Sequence, residues 1–251
     1  MDPQESEDIP DGVVQGLPAA PETVIRLESS TGEPVAAWLC TPDRLEALAA
    51  GWLFCEGIVA SMEDLSDLNV ASSRVVRVEL SEFATQRLDD RRTAAGPGPA
   101  PGRIRAGVKA RKYRPGPTLE NLLSDPIRLA RLFRDLFDGA SARTTGGGGL
   151  HTGALVVDGS IVDVVEDVSR SAVIDKLVGS TLLAGGVPEQ SLLLLSGRIS
   201  ASIAVKLATA GIAAAATISI PTTLAVEISG RAGVALVGRA RRDTPYRYGT
   251  A

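Results

Sequence analysis

The one histidine of this chain of 251 residues, His151, follows Thr144 to Gly149, a turn that contains four consecutive glycines. Without side chains at Gly148 and Gly149, backbone can approach a ligand closely, and an imidazole there can act as general acid or base near neutral pH. Further on stand Glu166, Asp167 and Arg170. They can serve as an acid, a ligand-orienting carboxylate and a phosphate clamp, or equally form an internal salt-bridge network at a strand end. Two more stretches, Ser196-Gly197-Arg198-Ile199-Ser200 and Ser219-Ile220-Pro221-Thr222-Thr223, put small hydroxyls and free N–H groups where a strand turns into a helix. Such a turn suits an anion. The candidate catalytic set is therefore His151, Glu166 and Asp167. The candidate ligand-binding set is Gly148, Gly149, Arg170, Ser196, Gly197, Arg198, Ser219, Thr222 and Thr223. Neither turn is a Walker motif or a dinucleotide fingerprint, and Thr222 and Thr223 also read as helix caps. Asp175 and Lys176 read as structural, because adjacent helix positions do not face each other.

Much chemistry is excluded by what is scarce. The only cysteines are Cys40 and Cys55. With one histidine besides, the chain cannot assemble a zinc-deaminase site or a zinc knuckle, so no zinc is expected. Cys55 lies in an apolar stretch at a helix end and reads as buried, and Cys40 ends a strand. A net charge of −4 gives no general electrostatic reason to bind nucleic acid or an anionic membrane. The first twelve residues carry five acids and no base, unlike a secretory signal. The longest apolar stretch, Leu207 to Ile220, is too short to span a bilayer. A soluble cytoplasmic protein is the reading that follows.

The elements that must position these residues can be placed coarsely. Residues 1–20, acidic and proline-punctuated, read as a disordered lead-in, and residues 21–90 as an N-terminal α+β subdomain. There Val24–Leu27 and Val35–Leu39 form a hairpin, Thr41-Pro42 starts an amphipathic helix, and Val75–Leu80 is a strand. Residues 91–118 combine a Pro/Gly/Ala-rich linker with a basic loop, Arg103 to Arg114, either a solvated loop or an electropositive lid over a phosphate-bearing ligand. Residues 119–251 open with one or two helices over Leu119–Phe137, the second starting at Asp125-Pro126. A hairpin turns at Asp158-Gly159. Helices over Val173–Ala184, Ile199–Ala210 and Thr222–Ser229 then alternate with strands over Ser191–Leu195, Ala214–Ile220 and Val234–Val237. That alternation implies a parallel or mixed sheet in an α/β layer architecture, with ligands at the carboxyl ends of its strands. Only 4% of residues are aromatic, so the core is built mainly from Ala, Val, Leu and Ile.

Five segments in order, spanning roughly residues 41–241, resemble the formate dehydrogenase accessory protein (FdhD) family. They are Thr41–Ile58, with its Gly51-Trp52-Leu53-Phe54-Cys55-Glu56-Gly57-Ile58; Gly148-Gly149-Leu150-His151-Thr152-Gly153-Ala154-Leu155; and Glu166-Asp167-Val168-Ser169-Arg170 with Asp175-Lys176 and Gly179. Leu195–Ser200 follows, and then Ser219–Glu227 with Val237-Gly238 and Arg241. The resemblance implies a C-terminal domain of cytidine-deaminase-like fold without the deaminase zinc. It also implies binding of molybdopterin guanine dinucleotide and a sulfur relay from a cysteine desulfurase onto that cofactor, before it enters formate dehydrogenase. The family is often dimeric, which implies a homodimer.

The departures are specific. Where the family carries a Cys-x-x-Cys loop, residues 105–117 read Arg-Ala-Gly-Val-Lys-Ala-Arg-Lys-Tyr-Arg-Pro-Gly-Pro. A persulfide needs a thiolate, which no Lys or Arg supplies. In the third segment Ser169, Ser171 and Ala172 replace a glycine, a histidine and an asparagine. Three readings follow: a carrier of a nucleotide-bearing or other phosphorylated ligand, a small-molecule enzyme using the former cofactor cleft with His151 as general acid/base, or a sulfurtransferase working through Cys55 or Cys40 or through a partner's thiol.

Overall fold

The computed structural model describes residues 19–94, 114–141 and 149–248; Gly148 and nearly all of the basic stretch lie outside them. Strands β1 (Thr23–Ser29) and β2 (Pro34–Cys40) form the expected antiparallel hairpin, turning where Gly32 takes φ +87°. Strand β4 (Val75–Leu80) lies parallel to β1, and β3 (Leu65–Ser72) pairs antiparallel with β4, so the first sheet is mixed with order β2-β1-β4-β3. Sequence reading missed β3, whose residues are mostly exposed and whose pairing with β4 is broken by two register shifts. It also missed helix α2 (Glu82–Ala94), which carries almost no apolar stripe and reaches into the expected linker.

Helix α1 (Leu45–Cys55) corrects two expectations. It begins after Arg44, whose left-handed φ of 48° breaks the backbone there, rather than at Thr41-Pro42. Nor is it amphipathic: Leu45, Ala47, Leu48, Ala49, Ala50, Gly51, Leu53 and Cys55 are all buried, because it is sandwiched between the first sheet and α5 (Arg170–Leu183). The α1–α5 approach is a backbone contact. A Cβ at Gly51 would sit 1.8 Å from the Asp175 carbonyl oxygen, and one at Gly179 would sit 1.8 Å from that of Ala47.

The second sheet has the order β10-β9-β8-β7-β5-β6. Strands β5 (His151–Val157) and β6 (Ser160–Asp167) turn through Asp158 (φ 50°) and Gly159 (φ 78°). Two consecutive left-handed residues match the right-handed twist of a tight hairpin. Strands β7 (Leu192–Leu195), β8 (Ala214–Thr217) and β9 (Ala235–Gly238) run parallel, while β5 and the unexpected β10 (Tyr246–Tyr248) are antiparallel to their neighbours. Helices α5, α6 (Ala201–Ala210) and α7 (Thr223–Ala232) cover one face. Helices α3 (Pro117–Leu123) and α4 (Pro126–Ser141) cover the other, α4 capped by Asp125, which accepts from the N–H groups of Ile127 and Arg128. The expected α/β architecture is therefore present, as two mixed sheets with helices. Among the described residues, no helix is long and apolar enough to cross a membrane.

Some boundaries moved for local reasons. Strand β8 stops at Thr217 instead of Ile220, since the residues after it form a turn. Helix α6 starts after Ser200, because Ile199 bridges to Pro221. Helix α7 runs through Gly230 and ends at Gly233, which takes φ +79°.

A buried cation ties the two sheets together. Lys176, fully buried in α5, donates to the Thr41 carbonyl at 2.8 Å, to Asp167 at 2.6 Å and to Asp43. Removing one partner of such a pair strands a charge in a low dielectric. Lys176→Met is accordingly expected to destabilise the protein by about 3–5 kcal/mol, read as a drop in the urea midpoint. Gly179→Ala should cost about 3 kcal/mol in the same experiment, because the obstruction is backbone and cannot rotate away. An unchanged midpoint for Gly179→Ala would mean that the two helices part freely.

Candidate functional site

Three turns meet at the carboxyl ends of β7, β8 and β9. Ile199 bridges to Pro221, and the Thr222 N–H donates to the Ile199 carbonyl at 2.9 Å. The Arg239 N–H donates to the Ser219 carbonyl at 2.8 Å, so the third turn is tied to the second. Helices α5, α6 and α7 all begin at this edge. Thr222 caps α7 by accepting from the Ala225 N–H, and Ser169 caps α5 by accepting from the Ala172 N–H. Helix N-termini present unpaired N–H groups and a partial positive charge.

Chain direction brings His151 here. Strand β5 runs antiparallel to β7, so the start of the one lies at the end of the other. Two hydrogen bonds of 2.9 Å secure the join: the Thr152 N–H donates to the Ser196 hydroxyl, and the Ser196 N–H donates to the Thr152 carbonyl. Arg170, the first residue of α5, lies alongside. His151, Thr152, Arg170, Val173, Leu195, Ser196, Gly197, Arg198 and Ile203 line a shallow, open cleft. Gly197 is its floor. A Cβ there would meet the Arg170 stem at 2.7 Å and His151 Nδ1 at 3.3 Å.

The cleft is cationic. Arg198 is exposed and Arg170 half-buried, and neither has a carboxylate partner among the described residues. Burial, and then the charge of Arg170, hold the His151 imidazole below its ordinary pKa of 6.5, while Asp167 opposes them. The ring is thus neutral near pH 7.

Of the expected residues, His151, Arg170, Ser196, Gly197 and Arg198 come together, with Ser219 and Thr222 in the neighbouring turn. Thr223 is exposed on the first turn of α7, and Gly149 is exposed with φ +102°. The two expected acids are not at the cleft. Asp167 sits across the ladder from His151 but is fully buried, with its oxygens engaged by Lys176 and the Ser169 N–H. Its neighbour Glu166 points to the other face of the sheet, where Thr152 Oγ1 donates to it at 3.5 Å. Successive strand residues face opposite ways, so the two cannot act together. Of the three arginines after β9, Arg239 is tied by its N–H to the Ser219 turn, whereas Arg241 lies over the Phe137 ring on the α4 side.

Neither thiol lines this cleft. Cys40 is fully buried, its pKa raised to about 11 by burial, with Asp167 adding to it. Cys55 is buried beside Asp175, and burial pushes its thiol well above the ordinary value.

A model of the FdhD/NarQ family matches residues 22–250. The chain is 34% identical to the sulfur carrier protein FdhD of Streptomyces coelicolor, over 97% of this chain and 92% of that one. It is also 34% identical to the protein of that name from Burkholderia cenocepacia, over 86% and 81%. A solved formate dehydrogenase accessory protein from Desulfotalea psychrophila superposes with a TM-score of 0.70 at 19% identity, covering 92% of this chain and 88% of its own, which shows the shared fold.

With one histidine in the chain, proton NMR reads the cleft directly. The titration of His151 is expected below pH 6.5, and Arg170→Ala should move it upward by removing a nearby positive charge. Folding favours the neutral ring, so this contribution to stability is complete above 6.5 and is lost as pH falls through the lower folded value. A His151 titration at or above 6.5 in the parent would contradict the geometry of the cleft.

Proposed function

This chain belongs to the FdhD/NarQ family, and on that premise we propose that it carries a phosphate-bearing ligand at the His151–Arg170 edge without relaying sulfur through its own cysteines. One observation bears most of the weight. Two arginines with no acid partner among the described residues, at the N-termini of α5 and α6, converge around Gly197, where a side chain would collide with Arg170 and His151. Charge-assisted bonds from guanidinium groups and free backbone N–H groups are what a phosphate demands.

The ligand that the family resemblance favours is molybdopterin guanine dinucleotide, and the residues present fit its phosphates. Arg170 and Arg198 would neutralise them, the turn at Gly197 would let them approach the backbone, and of the turn from Ser219 to Thr223 the Ile220 and Thr223 N–H groups would be left to donate. The bound cofactor would supply the molybdenum centre that receives sulfur. His151, neutral at physiological pH, can accept a hydrogen bond or a proton from the ligand without adding charge. The C-terminal sheet, helical on both faces, is compatible with a cytidine-deaminase-like fold, and formate dehydrogenase is the recipient that the relatives suggest. A cysteine desulfurase would enter only if it or another partner brought the thiol, and a homodimer is the assembly that the family implies.

Sulfur relay needs an accessible thiolate. The chain has two cysteines; both are buried, with raised pKa values. These facts support a carrier rather than a sulfurtransferase. The second reading, a repurposed enzyme with His151 as its base, draws on the same neutral imidazole, and it loses Glu166 and Asp167 as assistants.

Calorimetric titration with guanosine diphosphate tests the carrier reading. Binding should weaken about tenfold or more in Arg170→Ala, as expected for loss of a hydrogen-bonded charge, and weaken further with added salt. Absence of binding to the parent protein, with or without salt, would remove it. Incubation with a cysteine desulfurase and cysteine should leave no added sulfur mass on Cys40 or Cys55; a persulfide on either would restore the sulfurtransferase.

A further inference from the structure

The structure assigns Thr217 as a positioning residue for the ligand edge: one buried hydroxyl locks the β7 turn to the β8 turn and so sets where Gly197 stands beneath Arg170 and His151. This rests on the carrier reading for its ligand, but not for its geometry. Thr217 closes a strand that is otherwise alanine, Ala214-Ala215-Ala216, and it is fully buried. A buried hydroxyl is costly unless it is paired, and this one is paired twice. It donates to the Gly197 carbonyl at 2.7 Å and accepts from the Ser219 N–H at 3.0 Å. The two backbone groups belong to different turns, each holding candidate ligand residues.

What the hydroxyl fixes is a place with little tolerance. Gly197 lies so close to the Arg170 stem and the imidazole that a Cβ would approach them to 2.7 Å and 3.3 Å. A shift of that carbonyl by a few tenths of an ångström therefore moves both the guanidinium and the ring. On the β5 side the turn is tied at Ser196, which is bonded to Thr152; on the β8 side the ladder holds it up to Leu195, paired with Thr217 itself, and the next tie is the bridge from Ile199 to Pro221. Between those ties, the hydroxyl is the bond from β8 that reaches Gly197.

Thr217→Val keeps the shape and removes both bonds, whereas Thr217→Ser keeps the hydroxyl. Each variant is followed by thermal unfolding, by the NMR titration of His151, and by calorimetry with guanosine diphosphate as the probe. Expected for Thr217→Val are a folded protein, a His151 titration displaced toward 6.5, and affinity reduced about tenfold, with Thr217→Ser restoring both. If Thr217→Val titrates and binds like the parent, the assignment is overturned. If the parent itself ignores the probe, the carrier reading fails, and the His151 titration alone then decides: displaced in valine and restored in serine, the positioning role stands; unchanged, it falls. Should Thr217→Val not fold, the comparison passes to Thr217→Ala, judged by the same titration and the same serine rescue.

Discussion

The ammonium of Lys176 is cut off from solvent, and three oxygens from two other segments surround it: the Thr41 carbonyl, Asp43 and Asp167. A charge placed there must be neutralised, so the segment between β2 and α1, the end of β6 and helix α5 have to arrive together. That requirement couples the N-terminal sheet to the C-terminal one. The crossing of Gly51 over Gly179 makes it possible, because only residues without side chains let α1 and α5 approach until backbone touches backbone. With α5 held there, Arg170 at its N-terminus is delivered beside His151.

The same economy of charge separates scaffold from site. Lys206 is nearly buried and bonded to Asp175 at 2.6 Å; burial alone would lower its pKa, but Asp175, with Cys55 and Glu56 nearby, more than reverses this. Asp175 and Lys176, neighbours in sequence, thus serve two different networks on two sides of α5. By contrast, Arg170 and Arg198 carry positive charge with no carboxylate to meet it among the described residues. Lys176 and Lys206 are buried and paired, whereas Arg170 and Arg198 stand where α5 and α6 begin.

Legibility in the sequence followed the range of the interaction. The Asp158-Gly159 hairpin, the Asp125-Pro126 helix start and the Thr222 cap were readable, because each depends on a few adjacent residues and their backbone preferences. Strand β3 and helix α2 were not, since both lie largely on the surface and lack the apolar period that would reveal them. At the site, the alternation of strands and helices was enough to place the two strand-to-helix turns at one edge of the sheet. The roles of Glu166 and Asp167 were not legible, because a strand sends adjacent side chains to opposite faces and only the packing around it says which face meets a ligand.

The sequence by itself determined that two cysteines are all the sulfur nucleophiles the chain has and that no Cys-x-x-Cys is among them. It determined also that small residues, hydroxyls and arginines stand where strands turn into helices, for these are matters of composition and of neighbours along the chain. Tertiary structure alone decided that Cys40 joins Cys55 inside the core, that Asp167 neutralises Lys176 instead of facing His151, and that Thr217 reaches across to Gly197. Each of those outcomes depends on which distant segments pack together, and hence on burial and pairing that no local pattern encodes.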